Sequence, residues 1–167
     1  MAKRGIERTV RQSLLDRLSD DKPQVGVDPV AGYVESRDHL VASLRRDLES
    51  LLNTRRVPDT SPEEFEELRR SVYHYGLPDV AEVSRDSTEA HARLLRQVKE
   101  AIAAFEPRLA NVRVTQPPQS AAGMQQRELR FVIHGLLRMD PNPEQVVFDT
   151  VLELASGEYE VKGGRDA

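Results

Sequence analysis

Glu106-Pro107-Arg108-Leu109 sets an acid and a guanidinium two residues apart, on either side of a proline. Proline disfavours the α conformation in the residue before it, so Glu106 is expected to leave the helix that leads into it. In extended chain, residues two apart point to the same side. Glu106 and Arg108 would then project together from a rigid corner, either as a docking element or as a structural latch. An exposed pair of this kind contributes about 0–1 kcal/mol. A pair desolvated against a partner would cost roughly 3–5 kcal/mol on losing one member, because the other charge is stranded.

Other chemistry is thinly supplied. A glycosidase needs two carboxylates roughly 5–10 Å apart with one held protonated. Glu63, Glu64, Glu66 and Glu67 form a helix-start cluster instead, and Glu106 has a cation for its neighbour. His39, His74, His91 and His134 show neither HxxxH nor HExxH spacing. Nucleophile elbow, P-loop and dinucleotide fingerprint are all missing from the sequence. The reading is a non-enzyme with no catalytic residue, no cofactor and no metal site.

The elements that must position the corner follow from hydrophobic periodicity. Ile6, Val10, Leu14 and Leu18 recur every four residues and predict a short amphipathic helix. Residues 19–35, with Pro23, Gly26, Pro29 and Gly32, read as a connecting loop. A second helix is expected from a Ser36 cap, with Leu40, Val41, Leu44, Leu48, Leu51 and Leu52 inward, closing at Asn53-Thr54-Arg55-Arg56. Ser61-Pro62-Glu63-Glu64 predicts a helix over about 62–72 with Phe65 and Leu68 inward. It stops at Tyr73-His74-Tyr75-Gly76-Leu77-Pro78-Asp79, where Gly76 suits a left-handed turn. Tyr73, Tyr75 and Leu77 either pack on the core or form an exposed apolar rim. The last helix runs from about Ser87 to Phe105, boxed by Asp86 and Glu89, with Ala90, Leu94, Leu95, Val98, Ile102 and Phe105 buried.

After Leu109 the period changes from about four to two. Val112 and Val114, then Leu129, Phe131 and Ile133, then Val146, Phe148, Thr150, Leu152 and Leu154, then Tyr159 and Val161 alternate with polar partners. Residues 115–127 read as a long mobile hairpin loop, and Ser156-Gly157 as a tight turn. The fold class is α+β: amphipathic helices on one face of a small, mostly antiparallel four-stranded sheet. The expected division is an arm over 1–35, a domain over 36–162 and a frayed tail over 163–167.

Composition fits one such domain. Of 167 residues, 38% are apolar and 31% charged, and the net charge is −4. No stretch is basic enough for a nucleic-acid footprint. The absence of Cys excludes disulfides and thiolate chemistry. The N-terminus carries no secretory pattern and no window has the apolar length of a membrane span, so a cytoplasmic protein without direct membrane insertion is the expectation.

The chain resembles the TssE family of type VI secretion baseplate subunits, which is related to a wedge protein of contractile phage tails. The resemblance is carried by Gln12–Leu18, by Arg46-Asp47-Leu48 through Arg56, and by Ser71–Asp79. It continues through Phe105-Glu106-Pro107-Arg108-Leu109, Leu129–Gly135 and Phe148-Asp149-Thr150, in family order. In place of the Asn-rich tyrosine segment common in that family stands Tyr73-His74-Tyr75. The resemblance implies a domain like the handshake domain of the contractile sheath, acting as a sheath initiator. It also implies docking of the wedge's helical core bundle by Glu106, Pro107 and Arg108. Implied partners are the wedge subunits TssF, TssG and TssK and the sheath proteins TssB and TssC, in a baseplate docked at the inner membrane. A lysozyme-like hydrolase, a label the family has carried, and a wedge protein of a phage tail or other contractile injection system are the alternatives.

Overall fold

The computed structural model describes residues 33–58, 65–79, 87–117, 128–139 and 142–166, with the single positions 18, 23, 24 and 26. The expected N-terminal helix, apart from an exposed Leu18, the Ser61-Pro62 helix start, Asp86 and residues 118–127 of the hairpin loop lie outside the described residues.

Helix α1 spans Tyr33–Asn53 and begins three residues before the expected cap. Ser36 is buried inside it, a small residue on the packed face rather than a cap. The Leu40, Val41, Leu44, Leu48, Leu51 and Leu52 stripe is buried as its spacing requires. Past its end, Arg55 pairs with Asp79 at 3.2 Å.

The helix expected over 62–72 is reduced, among the described residues, to one turn, α2 (Glu66–Arg69), and a 3-10 turn at Val72–His74. Ser71 breaks the run. Its hydroxyl donates to the Leu68 carbonyl at 2.7 Å and accepts from the Tyr73 N–H, offering the backbone a local alternative to helix. Phe65, expected inward, is 56% exposed because a single turn gives it no helix face to share with the core.

Helix α3 spans Thr88–Phe105 and is capped by Ser87, whose hydroxyl accepts from Ala90 N–H at 3.1 Å. Leu94, Val98, Ala101 and Ile102 are buried, while Ala90, Leu95 and Phe105 are half-buried.

Four strands follow: β1 (Leu109–Thr115), β2 (Glu128–Leu137), β3 (Glu144–Glu153) and β4 (Glu158–Asp166). They form one antiparallel meander in the order β1-β2-β3-β4. The inward residues are those that alternation picked out: Leu129, Phe131 and Ile133, then Val146, Phe148, Thr150 and Leu152, then Tyr159 and Val161. α1 packs along β4 and α3 along β1, on the same face. The α+β layering is therefore as expected.

β4 runs to Asp166, so the stretch 163–166, expected to fray, continues the pairing with β3 through Gly163, Arg165 and Asp166. Gly163 and Gly164 permit this, both at positive φ (98° and 99°), where the register shifts between Val147 and Phe148. A Cβ at Gly164 would stand 2.4 Å from Val41 Cγ1, so the glycine also lets α1 close on the strand.

The last strand is fastened to α1 by Asn53. Its side-chain amide donates to the Tyr159 carbonyl and accepts from the Tyr159 N–H, both at 2.8 Å. Above this clamp the Tyr159 hydroxyl is buried, packed edge-on to Phe131, and has no hydrogen-bond partner among the described residues. Burial pushes its ionisation well above the usual tyrosine value. Tyr159→Phe is expected to stabilise the fold by about 1 kcal/mol, since it removes an unsatisfied buried polar group. It should also blunt alkaline unfolding. Above about pH 10 the unfolded phenol loses its proton while the folded one keeps it, so stability falls as pH rises. Thermal melts of both proteins at neutral and alkaline pH check both effects.

Candidate functional site

The corner between α3 and β1 is built as its sequence requires. Glu106 ends α3 at φ −120°, ψ 79°, outside the helical region, with its N–H still donating to Ile102 O at 2.9 Å. Two residues on, Arg108 turns back. Its Nε donates to Glu106 Oε1 at 2.7 Å and its Nη2 to Oε2 at 2.6 Å, a bidentate fork. The Arg108 N–H adds a third bond to Oε1 at 3.2 Å.

α1 completes the site from about 60 residues away in sequence. Arg108 Nη2 also donates to Asp47 Oδ2, and Nη1 to Ser43 Oγ at 3.3 Å. The Arg108 carbonyl accepts from Arg138 N–H at 2.8 Å, joining the corner to the end of β2. Arg108 thus ties α1 to the end of α3 through its guanidinium and reaches the end of β2 through its carbonyl.

The Glu106 side chain is only 7% exposed, against 22% for Arg108 and 38% for Asp47. Of the two roles open to this pair, the intramolecular latch is formed. Hydrogen bonding to Glu106, the largest influence, and then to Asp47 outweighs desolvation and raises the Arg108 pKa further above its already high usual value. The guanidinium stays charged at every pH at which the fold persists. Two carboxylates face this one cation, leaving an excess negative charge whose exposed end is Asp47. Pro107 stands exposed at the apex.

The tyrosine segment divides. Leu77 is in the core at 2% exposure, and Tyr75 is half-buried edge-on to Phe105 with ring centroids 5.3 Å apart. Tyr73 is exposed and edge-on to the buried His74. Next to it Val72 is 87% exposed. The expected group of Tyr73, Tyr75 and Leu77 therefore does not share one surface. Of the three, Tyr73 is the exposed one.

Gly76 explains why this segment carries a glycine. At φ 100° it lets Leu77 N–H donate to Thr54 O (2.9 Å) and Leu77 O accept from Arg56 N–H (2.7 Å), a parallel bridge to the end of α1. Asp47, Ser43 and Asn53 are the residues whose roles sequence reasoning missed. Asp47 lies within one of the strings that carry the family resemblance, but nothing local in the sequence ties it to Arg108.

Among the described residues there is no group of three or more His, Asp or Glu placed to hold a metal ion. No helix among them is long and apolar enough to cross a membrane. Both carboxylate oxygens of Glu106 are taken up as acceptors from Arg108.

The family model described as baseplate wedge protein gp25 matches residues 38–142, more than half of the chain. The chain belongs to the baseplate wedge protein gp25 family. This is the family to which the TssE resemblance points. The match runs from the first turns of α1 to just past β2, so it contains the whole Ser43–Asp47–Glu106–Arg108 site, while β3 and β4 lie beyond it. Neither a curated protein nor a solved structure matches the chain. Membership gives this wedge-family protein a structural role in a contractile-injection baseplate, alongside other baseplate subunits.

Proposed function

We propose that the chain is a structural subunit of a type VI secretion baseplate wedge, docked to the wedge at the Glu106-Pro107-Arg108 corner and templating the first ring of the sheath by strand pairing. The family match carries this reading. The corner supports the docking part. The latch fixes its shape, and Pro107, Arg108 and Asp47 remain accessible around the buried Glu106. Its excess negative charge suits a basic partner surface.

The sheet supports the templating part. β1 and β4 are its edges, each paired on one side in the meander. A helical sheath has open, heterologous contacts, so its first ring needs a like-shaped template. Backbone pairing would supply affinity and side chains the register. Asn53 occupies the outward backbone groups of Tyr159, which confines pairing on β4 to the stretch beyond it. On β1 the bulge at Asn111 confines regular pairing to Arg113–Thr115. Such interrupted edges discourage indiscriminate strand addition.

The test separates docking from folding. Pro107 makes none of the latch's ion pairs, so Pro107→Ala and Pro107→Glu are expected to keep them, with Glu106 still held by its three bonds from Arg108. Co-expressed with TssF and TssG, both are expected to lose recovery of the complex by about tenfold with little change in melting temperature. Sheath polymerisation from TssB and TssC should nucleate on the wild-type assembly. Wild-type levels of complex with both variants would retire the corner as a docking element. A wild-type chain that captures neither protein pair would end the type VI reading.

A further inference from the structure

The face of the sheet turned away from α1 and α3 is not built to meet water alone. An antiparallel sheet covered on one side alternates apolar residues inward with polar residues outward. β2 and β3 depart from this. Between the core residues stand Val132, Leu136, Val147 and Val151 on the opposite face, each half-buried. They lie diagonally to one another across the two strands, with Val147 opposite His134 and Leu136 opposite Gln145.

At one end this face is concave. The bulge at Asn111, in the left-handed region at φ 52°, takes β1 out of register between Ala110 and Arg113. A hollow of about 460 Å³ opens there, lined by Arg113, Thr115, His134, Leu136, Gln145 and Val147 among others. Thr115 Oγ1 and His134 Nε2 are 3.0 Å apart and satisfy each other, leaving the apolar walls of Leu136 and Val147.

Two of the cations on this face are paired. Arg130 pairs with Glu128 at 2.9 Å and Lys162 with Glu160 at 2.8 Å. Arg113, exposed at the rim of the hollow, has no ion-pair or hydrogen-bond partner among the described residues. An unmatched guanidinium beside an apolar hollow complements a segment with the opposite charge and an apolar anchor.

We infer that the hollow is a second docking surface, distinct from the corner and lying on the outer face of the sheet beside the β1 edge. It receives a segment of a partner protein that sets an apolar side chain beside a carboxylate. The apolar group enters between Leu136 and Val147, and the carboxylate pairs with Arg113. The baseplate reading enters here in the choice of partners for the test.

The full chain is co-expressed with TssF and TssG and, separately, with TssB and TssC. Arg113→Glu and Val147→Lys are each expected to reduce recovery of one of these assemblies at least about tenfold, and Arg113→Lys to retain it. The isolated Arg113→Glu chain should melt as the wild type does. Recovery of both assemblies at wild-type levels with both variants overturns the inference. So does a wild-type dimer that Arg113→Glu dissociates, which would mean that a second copy fills the hollow. A lowered melting temperature for Arg113→Glu alone also overturns it, because the face would then be covered from within the chain. A wild-type chain that captures neither assembly fails earlier, at the baseplate reading, and takes this inference with it. Pro107 variants that lose capture while the Arg113 and Val147 variants keep it leave the corner standing and remove the hollow.

Discussion

Arg108→Ala is expected to lower the stability of the isolated chain by about 3–5 kcal/mol. The magnitude follows from what the substitution leaves behind. Glu106 is nearly sealed from solvent and takes three hydrogen bonds from Arg108. Without the guanidinium, its carboxylate is stranded in a site built to desolvate it. Asp47 and Ser43 lose their bonds to the guanidinium as well, and with them the tie between α1 and the corner. For a chain of this size the loss corresponds to a fall in melting temperature on the order of 10 °C. Adding Glu106→Gln to Arg108→Ala should recover part of it, since the stranded charge is removed. A thermal or urea melt of the four proteins in the cycle measures this coupling. If Arg108→Ala melts like the wild type, the latch contributes nothing and the pair belongs to partner binding alone.

This outcome bears on docking experiments. Alanine at Glu106 or Arg108 would reduce co-purification simply by unfolding the corner, whatever touches it. Pro107, exposed at the apex and outside the ion pairs, is the position where loss of binding can be read without loss of fold.

Gly76→Ala is the second large effect, at about 3–5 kcal/mol. A Cβ at Gly76 would lie 2.2 Å from Thr54 O and 2.9 Å from Thr54 C, both backbone atoms that cannot swing aside. The φ of 100° adds strain of about 1–3 kcal/mol for a residue with a side chain. Relief requires the bridge to part, which releases the Leu77 N–H to Thr54 and Arg56 N–H to Leu77 bonds at about 1 kcal/mol each. Leu77 would then be drawn from the core. Hydrogen exchange should show the amides of Arg56 and Leu77 losing protection before those of β2 and β3. Gly26→Ala is the control, because nothing lies within 4 Å of its added Cβ.

Periodicity made most of the architecture legible. The switch from a period near four to a period of two at Leu109 located the boundary between helices and sheet, and alternation identified the inward residues of β2, β3 and β4. It failed where local hydrogen bonding or close packing decides the outcome. Ser71 competes for its own backbone and cuts a predicted helix to one turn. Gly163 and Gly164 resemble a frayed end in sequence, yet the pair bends the strand so that it can continue under α1. Ser36 resembles a cap but is buried as a small residue in the helix interior.

The candidate site was legible in part. The pre-proline rule brought Glu106 and Arg108 to one corner. The choice between latch and docking element depended on Ser43 and Asp47, about 60 residues upstream, and no local pattern reports a partner at that distance. Tyr73, Tyr75 and Leu77 looked alike by composition, but one is exposed, one half-buried and one in the core. That division depends on the Gly76 bridge and on Phe105.

The fastening of β4 to α1 sets the order in which the domain can be completed during synthesis. Asn53 reaches Tyr159, and Arg37 reaches Glu144, across more than a hundred residues of intervening chain. At ribosomal speeds of roughly 5–20 residues per second, the leucine stripe of α1 waits on the order of 5–20 s for the last strand to emerge. The nascent chain therefore carries an uncovered apolar helix face over that interval.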